Sequence, residues 1–180
     1  ARGRDMVFWQ SPRTRTQSRP KTAPSRSKAS GIAELDIIVD AHERYAYGFT
    51  QQRANVTKRA LPCGDYAIAV DGKIVASVER KSMADLLSSM TSGKLRYAMA
   101  HLAALPRAAV VIEDQYSAAL SSKFVSAKDA ADGIAELQVR YPSVPIVFAQ
   151  TRKLAEEWTY RYLAAAAVWV AGDSEALAGS

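Results

Sequence analysis

The sequence predicts an α/β domain built on a mixed sheet flanked by helices, with a disordered basic tail in front of it. Three observations carry that expectation. Residues 35–40 (LDIIVD) and 108–113 (AAVVIE) are apolar runs of strand length, as expected for strands buried in a sheet. Residues 66–70 and 74–78 are β-prone and flank Asp71-Gly72, a strong hairpin signal. In the second half, strand patterns alternate with helical ones, which indicates a sheet covered on both sides. The chain has 180 residues, 48% of them hydrophobic, enough for one domain with a real core.

The tail comes first. Residues 1–30 hold eight Arg or Lys against Asp5 alone, whereas the other 150 residues carry 16 basic and 17 acidic groups. This stretch is rich in Ser, Thr, Pro and Arg and cannot bury enough surface to offset its ordering entropy. Residues 1–33 are therefore expected to be disordered, 34–172 to form the domain and 173–180 a short C-terminal tail. The tail can hold DNA phosphates by counterion release or simply solubilise the chain. Met6-Val7-Phe8-Trp9 within it is a docking or stacking cluster, or an accident of composition.

The first strand, 35–40, ends on Asp40, at the strand end where open α/β sheets place their sites. Residues 55–61 form the next, and Pro62 with Gly64 bends the chain into the hairpin. Gly64 is expected to allow a close backbone approach or a positive φ. A two-residue turn carried through without a bulge would set Asp65 and Glu79 on opposite faces. A three-residue loop or a bulge instead pairs 70 with 74, 68 with 76 and 66 with 78, gathering the apolar side chains on one face. That register places Asp65 opposite Glu79, with Lys81 beyond them on the same face.

Ser82 and Asp85 form a capping pair before a helix carrying Met83, Leu86, Leu87 and Met90. Gly93 breaks it, a second helix runs through Leu95, Met99 and Leu102, and Lys94 and Arg96 at the break are either DNA contacts or solvated charges. Strand 108–113 follows Pro106. A helix from Ser126, with Asp129 three residues on, stops at Pro142, and 145–149 supply the last strand. The final helix starts near Thr151, with Leu154, Trp158, Ala165 and Trp169 on one stripe. From Tyr162 to Ala171 it is apolar all round, which calls for burial on two sides or a partner. The expectation is that Trp158, Ala165 and Trp169 pack on the sheet while Leu163, Ala167 and Val170 face a second copy.

Two carboxylates and a lysine at the ends of neighbouring strands make a hard-oxygen site of the kind that takes Mg²⁺. The lysine supplies charge for a developing phosphorane or orients an attacking water. The plain alternative is a surface hairpin with exposed ion pairs. Asp40 is a third candidate ligand or a turn cap. Glu43 positions water or Lys81, or is a loop acid. Arg80, on the apolar face of its strand, pairs beneath the site or touches a phosphate. Asp85 holds the helix start.

Val39-Asp40-Ala41-His42-Glu43-Arg44, Leu61-Pro62-Cys63-Gly64-Asp65-Tyr66, Glu79-Arg80-Lys81-Ser82 with Asp85-Leu86, and residues 88–95 together resemble the nuclease domain of XPF/Hef-type structure-specific endonucleases. The resemblance runs from about Leu35 to the helix near Trp169. It implies a restriction-endonuclease-like α/β fold, a divalent metal (Mg²⁺, with Mn²⁺ able to substitute) and cleavage of branched or flap DNA in repair or recombination. It also implies a dimer, for which a homodimer is the expectation and a heterodimer the alternative. The candidate site is then Asp40, Asp65 and Glu79 as metal ligands, with Lys81, Arg80, Asp85 and Glu43 completing the catalytic set. His42 stands where the family usually has arginine. Members commonly carry tandem helix-hairpin-helix modules after this domain, and the 180 residues contain none.

The other readings are a non-catalytic DNA-binding or scaffold subunit on the same fold and an adaptor built around the last helix. Cys63 is the only cysteine, which excludes an intrachain disulfide and a cysteine-based zinc site. His42 and His101 are the only histidines, too few for a histidine-rich metal site. No run approaches the roughly 20 apolar residues that span a bilayer, so a cytoplasmic, DNA-associated protein is expected.

Overall fold

The computed structural model describes residues 34–178, with side chains described through Asp173. The basic tail, with its Met6–Trp9 cluster, lies outside the described residues. Six strands form one sheet: β1 (Leu35–Asp40), β2 (Ala54–Arg59), β3 (Tyr66–Val70), β4 (Lys73–Lys81), β5 (Arg107–Ile112) and β6 (Ile146–Phe148), in the order β2-β1-β3-β4-β5-β6. The helices are α1 (Met83–Thr91), α2 (Lys94–Ala103), α3 (Tyr116–Ala119), α4 (Ala127–Arg140) and α5 (Arg152–Ala178). The α/β mixed-sheet expectation is met. Strand β3 alone runs against its neighbours, and the β1–β2, β4–β5 and β5–β6 pairs are parallel. The carboxyl ends of the five co-directional strands therefore lie along one edge.

The hairpin realises the bulged alternative. Asp71 and Gly72 both have positive φ (51° and 75°), as a tight two-residue turn of type I′ requires. Val70 consequently pairs with Lys73 and Ala69 with Ile74, so the expected 70–74 pairing does not form. A bulge then leaves Val75 unpaired, and the ladder resumes as Ile68–Ala76 and Tyr66–Val78, the register expected near the site.

Each sheet face has its own core. On one, Ile37, Val39, Tyr66, Ile68, Ala76 and Val78 meet Tyr160, Leu163 and Ala164 of α5. On the other, Val110 and Ile112 meet Leu86 and Leu87 of α1, Leu95, Met99 and Leu102 of α2, and Ile134 and Leu137 of α4. Strand β5 sends Val111 to the first core and Val110 and Ile112 to the second, which is why its sequence is an unbroken apolar run. Ser82 and Ser126 cap α1 and α4 as their spacing predicts, each accepting the N–H of an Asp three residues on. The single-turn helix α3 was not foreseen in the sequence.

The orientation of α5 corrects the expectation. Leu163 is fully buried against the sheet with Ala155, Ala164 and Ala166 beside it, whereas Ala165 is exposed and Trp169 keeps 38% of its surface in solvent. Small side chains let the helix approach the strands closely. Trp158 is half-buried against the first core, as expected, and stacks on Tyr162 (5.0 Å), whereas Trp169 is displaced to the rim, where the Arg107 guanidinium lies 3.6 Å from the centre of a Trp169 ring. The helix continues through Ala178, into the stretch expected to be a tail. No described helix is long and apolar enough to cross a membrane.

Candidate active site at the strand ends

Gly64 opens the site. Its φ of +77° is disfavoured for L side chains, and a Cβ there would sit 2.1 Å from the Ser77 hydroxyl oxygen. That hydroxyl donates to the Cys63 carbonyl at 2.9 Å, drawing the chain tightly over β4. Asp65 follows, its N–H donating to the Val78 carbonyl (2.9 Å) and its Oδ2 accepting the Arg80 N–H (2.7 Å). Alternation along β4 turns Glu79 and Lys81 to one side and Arg80 to the other. Lys81 Nζ lies 2.7 Å from Glu79 Oε1, with both side chains half-buried.

Burial, and next the charge of Glu79, push the Asp65 carboxyl up to about 7, against the opposing hydrogen bond from the Arg80 N–H. Part of that rise is the repulsion between two carboxylates held close together. Hard carboxylate oxygens under such repulsion fit a divalent cation of the Mg²⁺ type. Among the described residues there is no group of three or more His, Cys, Asp or Glu that would hold a metal by itself.

Asp40 is occupied elsewhere. Its Oδ1 accepts the Leu61 N–H (2.8 Å), and its Oδ2 accepts the His42 N–H (2.9 Å) and contacts His42 Nδ1 (3.1 Å). Although burial raises its carboxyl, these bonds outweigh burial and hold it below the ordinary carboxylate value. Its backbone nonetheless lies beside the pair, the Asp40 N–H donating to the Asp65 carbonyl at 2.8 Å. Of the two roles open to it in the sequence, the turn cap is the one formed.

Arg80 lies beneath the site and pairs there. Its guanidinium meets Glu43 (3.4 Å) and Glu113 (3.1 Å), and Glu113 also accepts from Tyr47 Oη (2.9 Å) and Arg152 (2.8 Å). The Arg152 guanidinium covers the Tyr47 ring, which stacks on Tyr66 at 4.7 Å. Glu43 is thereby committed to Arg80 and to the Tyr45 N–H (2.8 Å), not to Lys81. Asp85 accepts from Ser82 Oγ (2.7 Å) and holds the start of α1. Arg96 pairs with Glu136 (3.1 Å), while Lys94 is exposed at the helix break.

Sequence reasoning missed Glu113, Tyr47 and Arg152. Glu113 carried a usable signal, since it ends an apolar strand just as Asp40 does, and its N–H donates to the Lys81 carbonyl at 3.0 Å. Tyr47 and Arg152 are brought in by a long loop and a helix start, and no local pattern marked them.

The sequence model of the ERCC4 domain matches residues 36–162, which takes in every one of these side chains. The chain belongs to the ERCC4 domain family. Among solved structures it is similar to XPF from Aeropyrum pernix, with 20% identity and a TM-score of 0.52 over 71% of this chain and 64% of that one. A second structure, XPF from Aeropyrum pernix in complex with DNA, gives 18% identity and a TM-score of 0.54 over 78% and 66%. The chain thus spans just under two thirds of the length of those proteins, and at this identity the likeness is one of fold. The comparison with curated proteins returned no match. The ERCC4 domain here keeps the six-stranded sheet with its acid pair at the mouth of the β3–β4 hairpin.

Proposed function

We propose that this ERCC4 domain is a Mg²⁺-dependent DNA endonuclease, with Mn²⁺ able to substitute, acting near branched or flap structures in DNA repair or recombination. The single observation that carries the reading is the closeness of Asp65 to Glu79, whose charge acts on it, with Lys81 paired to Glu79 at 2.7 Å. Asp65 and Glu79 would hold the ion, which when bound supplies a polarised phosphate and a water of lowered pKa. Lys81 moves from Glu79 toward the phosphate and stabilises charge developing there, or orients the attacking water. The Arg80 N–H fixes the Asp65 carboxylate, and the Arg80 side chain, neutralised by Glu43 and Glu113, supports the floor instead of contacting substrate.

Family membership supports the nuclease reading, and the DNA in the complex of XPF from Aeropyrum pernix supports DNA as the substrate. The exposed stripe of α5 (Ala165, Val168, Trp169) supports a homodimer, because an apolar face of this kind matches a second copy of itself about a two-fold axis. A DNA-binding subunit without catalysis is favoured by one observation, the commitment of Asp40 to its own turn. Labelled duplex, flap, fork and single-stranded substrates, incubated with Mg²⁺, with Mn²⁺ and with EDTA, decide between them. Metal-dependent cleavage of a branched substrate is the expected result; binding without cleavage in every metal would establish the subunit reading.

A further inference from the structure

We propose that the groove between α1 and the α3–α4 connection holds one unpaired base of a DNA strand, stacked on Phe124 with its phosphate at Lys123. This rests on the DNA reading above and adds to it a site outside the carboxylate pair. The groove has a volume of about 620 Å³, within the roughly 300–1,000 Å³ of small-ligand sites. Met83, Leu87, Ala118 and Val125 give it an apolar lining, and Asp114 is the one acid on it.

Its position is set by the residues that make the active site. Met83 follows Lys81 by two residues, and Asp114 follows Glu113, whose N–H is bonded to the Lys81 carbonyl. A strand leaving the Glu79–Lys81 site on this side meets the groove next. That continuity favours the substrate over a protein as occupant.

Phe124 is 97% exposed and has no ring partner among the described residues, in contrast to exposed Tyr97, whose ring packs at a tilt against His101. The exposure is built and held in place. Ser122 Oγ accepts the N–H groups of Phe124 (3.1 Å) and Val125 (3.4 Å), Val125 packs against the core, and Ser126 caps α4. An exposed aromatic face on an anchored backbone is a stacking platform for bases, and it is sequence-tolerant because every base has a π-face. In a duplex those faces are already stacked, so the platform selects unpaired bases. Lys123, exposed and without an acidic partner among the described residues, supplies the charge a phosphate needs, while Asp114 keeps phosphate off the opposite wall.

The test uses the full chain in EDTA, so that binding is read without cleavage, with a labelled oligothymidine, a blunt duplex and a flap as probes. Phe124→Ala should weaken the single strand and the flap roughly tenfold and leave the duplex unchanged, and Phe124→Trp should restore binding. Lys123→Ala should lower the salt slope for the single strand by about 0.7, the share of one phosphate. Equal losses on duplex and single strand, or no loss on either, would overturn the proposal. So would a change of sedimentation behaviour in Phe124→Ala, which would assign the groove to a protein. Cleavage is scored separately with Mg²⁺: an inactive wild type that keeps Phe124-dependent binding defeats the nuclease reading alone, and an active one without it defeats this site alone.

Discussion

Asp65 is the residue on which the proposed chemistry turns, and its titration gives two measurable consequences. Folding raises its pKa from an ordinary value of roughly 4 to about 7. Between those values the folded chain holds a proton that the unfolded chain has released, so the metal-free protein loses stability as pH rises from about 4 to 7, by up to a few kcal/mol, and the loss levels off above. Urea titrations across that window should show the slope in wild type and its disappearance in Asp65→Asn. Metal binding near pH 6.5 should release a proton, read by calorimetry in buffers of different ionisation enthalpy. For activity, Asp65→Asn, Glu79→Gln and Lys81→Ala are each expected to lower cleavage by at least a hundredfold, on the order of the loss of one well-placed catalytic group, while the fold and DNA binding persist. Wild-type rates in the three folded variants would refute the assignment. Much of this was legible in the sequence, because strand alternation separates Glu79 and Lys81 from Arg80 whatever the fold. The turn cap at Asp40 was legible too, but its bond to the Leu61 N–H and the pairing of Glu43 with Arg80 were not, since they depend on segments arriving from elsewhere in the chain.

The hairpin and the last helix make opposite cases at the scale of elements. The hairpin register was readable because its apolar side chains occupy one face in only one alignment, and the bulge at Val75 provides that alignment. The tightness of its entry predicts that Gly64→Ala destabilises the protein by more than about 2 kcal/mol, a positive-φ penalty added to a steric clash. Thermal melts of that variant beside Gly72→Ala, where a Cβ meets nothing within 4 Å, separate the two causes. Helix α5 hid its orientation because a run apolar on every side has no direction to read. Its inner face now identifies the substitutions to compare. Ala164→Glu, facing the sheet, should unfold the chain, whereas Ala165→Glu should leave a folded protein and abolish the proposed dimer in sedimentation runs.

The whole molecule separates its charge from its core. The described domain is close to neutral, and the excess positive charge lies in residues 1–30. Deleting them should leave the melting temperature within a degree or two, weaken DNA binding and flatten its dependence on salt, since affinity tracks the phosphates neutralised. An unchanged salt slope would show that the tail does not grip DNA. The outward stripe of α5 carries a further consequence. Trp169 stands on it, while Trp158 is half-buried against the core and Trp9 is the only other tryptophan in the chain. The surface proposed for pairing thus carries an indole that emits light. Dilution should shift the intrinsic fluorescence to longer wavelength as the Trp169 indole meets more water, so that the domain reports its own assembly without a dye.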